Sequence, residues 1–369
     1  MSVRRIIQTF EAWRETGEAL ALATVFETSG STYSKAGHRI LIAANGDYQG
    51  LVSGGCLEGD VAERARRVLE SGESASVTYD LRGEGDELWG LGIGCNGLIR
   101  IFLQPLYAEA GYEPFASMAA VLQGTRGGAA ALVIEGGRSG LPKGAGWVRG
   151  PEADCRWRLE SLEAGSGWLE RLAAGCERVF ESGNSLYLAE SGAEVLFAPL
   201  HKLPRVLVLG AGLDAIPVVE MAAALGWFVT VADHRPAYLE RGGFARADCV
   251  IAVEPGGLRR RLRLDDYDAV LVMSHHLPTD KAYLGELAGL GCRYLGVLGP
   301  PGRKERLLGS LGPAAGPLRG RLRGPVGLDI GADSPESIAL SILAELQAVL
   351  AAPAASAADA SPRRASAST

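Results

Sequence analysis

Pairs of cysteines at CxxC spacing are missing from this 369-residue chain, whose six cysteines stand apart at positions 56, 95, 155, 176, 249 and 292. Their scatter argues against a zinc knuckle and against a disulfide framework. The chain also lacks an apolar run long enough to span a membrane, and residues 1–13 carry charges throughout, unlike a signal peptide. We therefore expect a cytoplasmic protein with no membrane partner.

An excess of positive charge is missing as well. Lysine and arginine number 37 against 43 aspartates and glutamates, which gives a formal net charge of -6. The basic cluster at 259–263 is short and typical of a solvated helix face, so we expect no nucleic-acid partner. The chain is long enough for two domains, and its apolar fraction of 47% is ordinary for a globular protein.

A glycine-rich turn around Cys56 is the most informative stretch of the N-terminal region. It joins an apolar strand at 39–43 to a helical pattern, so Cys56 is expected where a helix begins. Unpaired N–H groups and the helix dipole favour an anion there, and they make a thiol easier to ionise. Ser53, Gly54 and Gly55 would let a ligand approach the backbone closely. In the alternative interpretation, Cys56 is a small buried residue and the glycines only make the turn.

Two further loops of this region are candidates for the same site. A second glycine-rich turn at 90–97 carries Cys95, which could face a common pocket with Cys56. A disulfide between the two cysteines is the alternative, and a reducing cytosol disfavours it. The small, polar loop at 27–38 contains Ser31 and Lys35. It is either a hairpin connection or a donor of hydroxyl and N–H groups to an anion.

A dinucleotide-type motif opens the C-terminal region. The apolar run at 205–209 is typical of a parallel strand that is buried on both faces. Gly210 would make the tight turn after it, Gly212 would permit close approach of a phosphate, and Asp233 stands where a ribose acceptor is expected. Asp214 counts against nicotinamide binding, because it places a carboxylate where a pyrophosphate would lie. The motif predicts the fold more strongly than the cofactor.

Polar residues follow the later strands of the same region, at the sheet edge where such folds bind ligands. His275 belongs to a His-His pair after one strand, and a functional role is favoured over a structural one. Gly299, Arg303 and Lys304 follow the next strand, where the two cations either grip a phosphate or are solvated at a helix start. Asp329 lies in a glycine-containing loop that is a third candidate wall of the pocket.

These patterns predict an α/β protein with an N-terminal α+β cysteine domain over 1–106 and a Rossmann-like, doubly wound parallel sheet over 204–350. Residues 107–203 form a weakly assigned middle segment that completes the N-terminal region and links the two. Within it the patterns predict helices at 114–123 and 162–174 and strands at 129–135, 185–189 and 193–199. The low-complexity tail at 351–369 is predicted to be disordered.

Blocks of sequence along nearly the whole chain resemble the XdhC/CoxI family, the accessory proteins that mature molybdenum hydroxylases such as xanthine dehydrogenase and carbon monoxide dehydrogenase. The matching N-terminal blocks are GSTYSKAG at 30–37, SGGCLE at 53–58 and GCNG at 94–97. The C-terminal blocks lie at 210–212, 233–235, 274–275, 296–299, 303–304 and 327–339.

The resemblance implies a carrier more than a catalyst. Family members bind the molybdenum cofactor (molybdopterin, in some cases with an appended nucleotide), shield it while a cysteine desulfurase installs its terminal sulfur, and pass it to the apo-protein of a hydroxylase. By this resemblance Cys56 and Cys95 would touch the metal and His275 would take part in the chemistry. The remaining expected cofactor contacts are Ser31, Lys35, Ser53, Gly54, Gly55, Gly210, Gly212, Asp233, Gly299, Arg303, Lys304 and Asp329. A homodimer is expected.

Two other classes of function fit parts of the sequence. The first is an NAD(P)-dependent oxidoreductase, in which Asp233 would bind the ribose and His275 would act as a general acid or base. The second is a scaffold that only recruits the cysteine desulfurase to the hydroxylase, in which case neither Cys56 nor Cys95 would matter for maturation.

Overall fold

The computed structural model describes residues 2–82, 97–160, 167–190 and 192–352. The chain divides into two compact units, Met1–Leu203 and Pro204–Thr369. The first unit carries two antiparallel sheets and the second one parallel sheet, so the α/β class and the Rossmann-like C-terminal part are confirmed. No helix within the described ranges is both long and apolar enough to cross a membrane.

The first sheet holds the Cys56 turn. Helix α1 (Val3–Arg14) precedes five strands, which pair antiparallel in the order β3-β2-β1-β5-β4. The strands are β1 (Leu20–Gly30), β2 (Arg39–Ala43), β3 (Tyr48–Gly50), β4 (Ala75–Asp80) and β5 (Gly97–Leu106). Helix α2 (Glu58–Ser71) buries Val61, Ala65 and Val68 against one face of this sheet, because they recur at helical spacing. The strand expected at 39–43 is confirmed as β2.

The middle of the chain forms a second antiparallel sheet of its own, in the order β8-β7-β6-β10-β9. Its elements are α3 (Phe115–Gln123), β6 (Gly128–Glu135), β7 (Gly146–Arg149), β8 (Asp154–Trp157), α4 (Trp168–Ser182), β9 (Leu186–Glu190) and β10 (Ala193–Leu200). The expected strands at 129–135 and 193–199 are confirmed, but β7 and β8 were not predicted from their four-residue patterns. Helix α4 continues to Ser182, beyond the expected end at 174, since Cys176 and Val179 extend its buried stripe.

The second unit is a six-stranded parallel sheet in the order β13-β12-β11-β14-β15-β16, which is the Rossmann strand order. The strands are β11 (Arg205–Leu209), β12 (Phe228–Asp233), β13 (Cys249–Ala252), β14 (Ala269–Val272), β15 (Tyr294–Val297) and β16 (Leu322–Arg323). The helices are α5 (Ala215–Ala224), α6 (Pro236–Glu240), α7 (Leu258–Arg261), α8 (Leu277–Leu287), α9 (Pro301–Leu311) and α10 (Pro335–Ala351).

Strand β11 shows why the parallel sheet forms where its apolar run predicts. Val206 and Val208 pack in the core layer that contains α5 and α10. Leu207 and Leu209 pack in the opposite layer, which contains α8 and α9. A continuous apolar run is therefore required, because both faces of the strand are covered. The loops that follow β11, β12, β14 and β15 emerge at one edge of the sheet, since parallel strands all end on the same side.

Candidate functional site

The turn that carries Cys56 lies between β3 and α2. Cys56 is exposed and its thiol is free, two residues before α2 begins at Glu58. The interpretation of Cys56 as a small buried residue is therefore wrong, whereas its expected place at the helix entrance is confirmed. Gly54 and Gly55 are also exposed and both have positive φ, so backbone and thiol are presented to solvent together.

The N–H groups of this turn are occupied by the carboxylate of Glu58, which is only 1% exposed. One oxygen accepts from the backbone N–H groups of Val52 and Ser53, both at 2.9 Å. The other accepts from the Ser53 hydroxyl at 2.6 Å and from the N–H groups of Gly55 and Leu57 at 3.0 and 3.2 Å. Burial works to raise the pKa of Glu58, but these hydrogen bonds outweigh it and lower the pKa.

The glycine-rich turn thus binds an anion, as its pattern predicts, but the anion belongs to the chain itself. Ser53 and Gly55 donate their N–H groups inward, which leaves the side chain of Cys56 as the group that faces outward. Sequence reasoning missed Glu58, because an acidic residue in the first turn of a helix usually needs no further explanation.

A small pocket beside the turn brings together four segments of the first unit. Its walls are Ser31, Thr32, Tyr33, Ser53, Leu57, Leu81, Gly97 and Ile99. Two predicted site residues, Ser31 and Ser53, therefore share one pocket. The N–H of Leu81 donates to the carbonyl of Gly97 at 2.9 Å. Cys95 and its proposed proximity to Cys56 lie outside the described residues.

Cys56 itself lines a neighbouring pocket on the other side of Leu57, together with a polar cluster that was not predicted. Asp60 accepts from Arg64 Nε at 2.7 Å and from the Tyr79 hydroxyl at 2.5 Å. Burial, and then the bond to Asp60, raise the pKa of Tyr79, which keeps the phenol protonated at neutral pH. The thiol therefore has a phenol, a guanidinium and a carboxylate as neighbours in its pocket.

Lys35 is exposed and does not line the pocket that holds Ser31 and Ser53. It lines a larger cleft of about 770 Å³ in the same unit. Tyr33 is a wall of both cavities and is 57% exposed. The two cavities are therefore adjacent, with the Tyr33 side chain at their boundary.

In the second unit, the glycines of the dinucleotide-type turn allow close approach of other atoms of the chain. Gly210 has φ of 135°, and a Cβ on it would lie 2.3 Å from the carbonyl oxygen of Met273. A Cβ on Gly212 would lie 2.5 Å from Oδ1 of Asp214. Asp214 in turn binds Nε2 of His275 through its other oxygen at 2.8 Å. The turn after β11 is thus fastened to the end of β14.

The pair between Asp214 and His275 is partly exposed and polar. The hydrogen bond that His275 donates to Asp214 raises the pKa of His275, against a smaller opposing effect of burial. His275 adopts φ of 60°, a left-handed backbone conformation that is unusual for a residue with a side chain. Its imidazole is 57% exposed, so it remains accessible to a proton or a ligand.

Asp233 is fully buried and its carboxylate is saturated by the chain. It accepts from the backbone N–H of Ala211 at 2.7 Å and from the N–H, Nε and Nη2 of Arg235 at 2.8, 2.9 and 2.8 Å. The hydrogen bonds from Arg235 and the backbone lower the pKa of Asp233 even though burial opposes them. Neither oxygen is directed to a ribose, which weakens the oxidoreductase hypothesis.

Arg303 is also bound within the unit. Its Nη2 and Nε lie 2.6 and 3.2 Å from Oδ2 of Asp280, which is 1% exposed. The other oxygen of Asp280 accepts from the Ser274 hydroxyl. A Cβ on Gly299 would lie 2.4 Å from Cδ of Arg303, so this glycine clears the path of the arginine stem. Arg303, one of the two cations predicted to bind a phosphate, therefore forms an internal ion pair with Asp280.

The remaining predicted site residues of the second unit are Lys304 and Asp329. Lys304 is half-buried and makes no ion pair within the described ranges, and Asp329 is exposed. Among the residues that the structure describes, no group of three or more His, Cys, Asp or Glu side chains could hold a metal ion. A metal bound at Cys56 would therefore have fewer than three such protein ligands from the described part of the chain.

Comparison with known proteins agrees with this architecture. The model of the XdhC Rossmann domain matches residues 206–346, and the model of the XdhC and CoxI family matches residues 13–80. A Bacillus subtilis protein described as a probable subunit of xanthine dehydrogenase is 29% identical over 340 residues, which are 91% of this chain and 94% of that protein. The molybdenum cofactor insertion chaperone PaoD of Escherichia coli is 31% identical over 90 residues, 24% of this chain and 27% of that protein.

A solved structure extends the likeness to nearly the whole fold. A crystal structure from Bacillus halodurans, described as a xanthine dehydrogenase, superposes with a TM-score of 0.74 at 29% identity, covering 95% of this chain and 96% of that one. The fold and the site thus define a class of α/β proteins in which a cysteine turn on an antiparallel sheet is joined to a Rossmann unit. The chain belongs to the XdhC/CoxI family.

Proposed function

We propose that this protein is an accessory factor that binds the molybdenum cofactor, protects it during sulfuration and delivers it to a hydroxylase of the xanthine dehydrogenase type. The observation that carries the proposal is the exposed Cys56 thiol on a turn held by five hydrogen bonds to Glu58. The insertion chaperone among its relatives supports the same role.

In this proposal the cofactor is a cargo that the protein binds and then releases, and the residues of the Cys56 turn suit such reversible binding. A thiolate is a soft ligand of the kind that metal–sulfur centres accept. Fewer than three such ligands from the described part of the chain give fewer protein–metal bonds than a resident metal site, which favours release to a client. The turn is braced while its thiol faces solvent, so the contact atom is held ready without being enclosed.

Cys95 remains a predicted second contact. It is two residues from Gly97 along the chain, and Gly97 lines the small pocket with Ser31 and Ser53. We include it in the proposal for this reason.

His275 is the proposed proton donor or acceptor of the second unit. Its pKa is raised by Asp214, and its ring is accessible. A histidine with a carboxylate partner can take up a proton near neutral pH and return it to a ligand. Lys304 and Asp329 stay proposed contacts, whereas Arg303 and Asp233 would support the site through the loops that they hold.

The proposed partners are an apo-hydroxylase and a cysteine desulfurase, and the proposed setting is the cytoplasm, with the protein as a homodimer. NAD(P) is less favoured as a ligand, because Asp233 is saturated by Ala211 and Arg235 and Asp214 stands in the phosphate-binding turn. We therefore propose no dehydrogenase activity.

Anaerobic purification of the full chain from cofactor-replete cells tests the proposal, with molybdenum and pterin measured per chain. We expect both in the wild-type protein and a loss of at least roughly tenfold in C56S. Cys249→Ser is the matched control, because Cys249 is also exposed but lies in the other unit.

Two results would contradict the proposal in different ways. Wild-type protein without molybdenum and pterin would remove the carrier function altogether. Equal cofactor content in C56S and the wild type, together with undiminished maturation of a hydroxylase, would instead favour the scaffold hypothesis, in which the thiol has no role.

A further inference from the structure

The cleft that contains Lys35 has a strongly one-sided charge. It lies within the first unit, between elements of the first and second sheets, and has a volume of about 770 Å³. The basic side chains on its walls are Lys35, His38, Arg39 and His201, and no carboxylate from the described part of the chain lines it. Such a cleft attracts an anion, because nothing on its walls offsets the positive potential.

Arg39 is the unusual residue of this cleft. It begins β2, and its Nε atom is buried without a hydrogen-bond partner among the described residues. Burial lowers the pKa of Arg39 to about 10, so the guanidinium is still charged at neutral pH. A buried donor that has no acceptor is unfavourable, and native proteins satisfy such donors with a protein group, water or a ligand.

Two residues near Arg39, Thr24 and His38, also favour the binding of an anion in this cleft. Thr24 is opposite Arg39 in the pairing of β1 with β2, and its hydroxyl is also buried without a partner among the described residues. His38 lines the same cleft next to Arg39, where partial burial and then the charges of Arg39 and Lys35 lower its pKa. The basic groups therefore repel one another in the structure, and a bound anion would relieve that repulsion.

We propose that this cleft binds a phosphate monoester, whose phosphate is held by Arg39 and Lys35. Two cations match a dianion, and the planar fork of an arginine suits the oxygens of a phosphate. The same cleft is also lined by Ile6, Phe115 and Leu122, which are available for the organic part of the ligand. The volume lies within the range of small-molecule sites, about 300–1,000 Å³.

The phosphate could come from two sources. Tyr33 separates this cleft from the pocket beside Ser53, so the phosphate of a cofactor bound at Cys56 could enter it. That source rests on the proposed function. A separate phosphorylated metabolite is the second source and does not depend on it. Both share the chemistry of a phosphate monoester.

Thermal unfolding and calorimetric titration of the full chain with phenyl phosphate and with inorganic phosphate test the site. At about 100 times the Kd, one bound ligand should raise the melting temperature of the wild type by roughly 5–10 °C. Arg39→Met should weaken binding at least tenfold. Without ligand it should melt at or above the wild-type temperature, since it removes a buried N–H donor that has no acceptor among the described residues. Arg178→Met is the control, because Arg178 is exposed on α4 and has no ion pair within the described ranges.

Lys35→Met keeps the test decisive if Arg39→Met does not fold, because Lys35 is exposed and its loss should weaken binding about threefold to tenfold without unfolding. Cofactor-loaded wild-type protein that no longer takes up phenyl phosphate would assign the site to the cofactor. Uptake that is unchanged in loaded protein and in C56S would assign it to a separate metabolite. The proposal is overturned if the wild type binds neither phosphate probe at millimolar concentration, or if both variants bind like the wild type.

Discussion

Replacing Glu58 by glutamine should destabilise the first unit by about 3 kcal/mol. A glutamine can still accept the N–H bonds of Val52 and Ser53 through its carbonyl oxygen. Its NH₂ group cannot accept from the N–H of Gly55 or from the hydroxyl of Ser53, which lie 3.0 and 2.6 Å from the second oxygen. The N–H of Leu57 keeps an acceptor, because it also donates to Ser53 Oγ at 2.7 Å. Each buried donor left without an acceptor costs about 1–3 kcal/mol, and two of them give the stated loss.

The pH dependence of this effect has a definite sign. The pKa of Glu58 is lower in the folded protein than its ordinary value of 4.5. Its charge therefore contributes stability that is fully present above that value and is lost as pH falls through the lower folded pKa. The difference between E58Q and the wild type should be largest at pH 7 and should shrink below about pH 4.

Urea unfolding of the full chain at pH 7 and at pH 3.5 measures this difference, with hydrogen exchange at Gly55 as the local readout. Glu70→Gln is the matched control, because Glu70 is an exposed carboxylate on the same helix and should change stability by less than about 0.5 kcal/mol. The reasoning fails if E58Q is as stable as E70Q at pH 7, or if exchange at Gly55 is unchanged.

Two further predictions concern the second unit. Asp214→Asn should lower the pKa of His275 toward its ordinary value, because the carboxylate bond is the main cause of the rise; an NMR titration of the imidazole checks this, and an unmoved titration would contradict it. Arg303→Gln should destabilise the unit by about 3–5 kcal/mol by leaving Asp280 buried and unpaired, whereas Lys304→Gln should be nearly neutral; equal melting temperatures for the two variants would refute the assignment of Arg303 as an internal ion-pair partner.

The parts of the fold that were predictable from the sequence are those with a local cause. Strands β2 and β11 were expected from their apolar runs, and both begin and end where those runs do. Strands β7 and β8 were missed, since four residues give too short a pattern and their positions depend on pairing with β6. Trp147 and Trp157, which are buried by that pairing, were the available sign of structure there.

The site was predictable to a smaller extent, because its residues are defined by their partners. The exposed thiol at a helix entrance follows from the glycine turn that precedes it. The partner of Arg303 is 23 residues away along the chain, and the partner of His275 is 61 residues away. No local sequence pattern reveals such pairs. The sequence alone therefore could not distinguish a cation that is free to bind a ligand anion from one that is already paired with a carboxylate of the chain.

The pairing of charged residues within the chain limits the places where a ligand anion can bind. Glu58 fills the cysteine turn and Asp280 matches Arg303, so two anion sites that the sequence suggested are satisfied internally. Among the predicted cations, Lys35 and Lys304 have no ion pair in the described ranges. Arg39, which the sequence did not suggest, has a buried Nε without a partner there and lines the same cleft as Lys35. The cleft of the first unit therefore holds two cations without an ion pair among the described residues. A phosphate-bearing cargo that touched Cys56 would find its counter-charge there and not in the glycine turn of the Rossmann unit, where Asp214 would repel it.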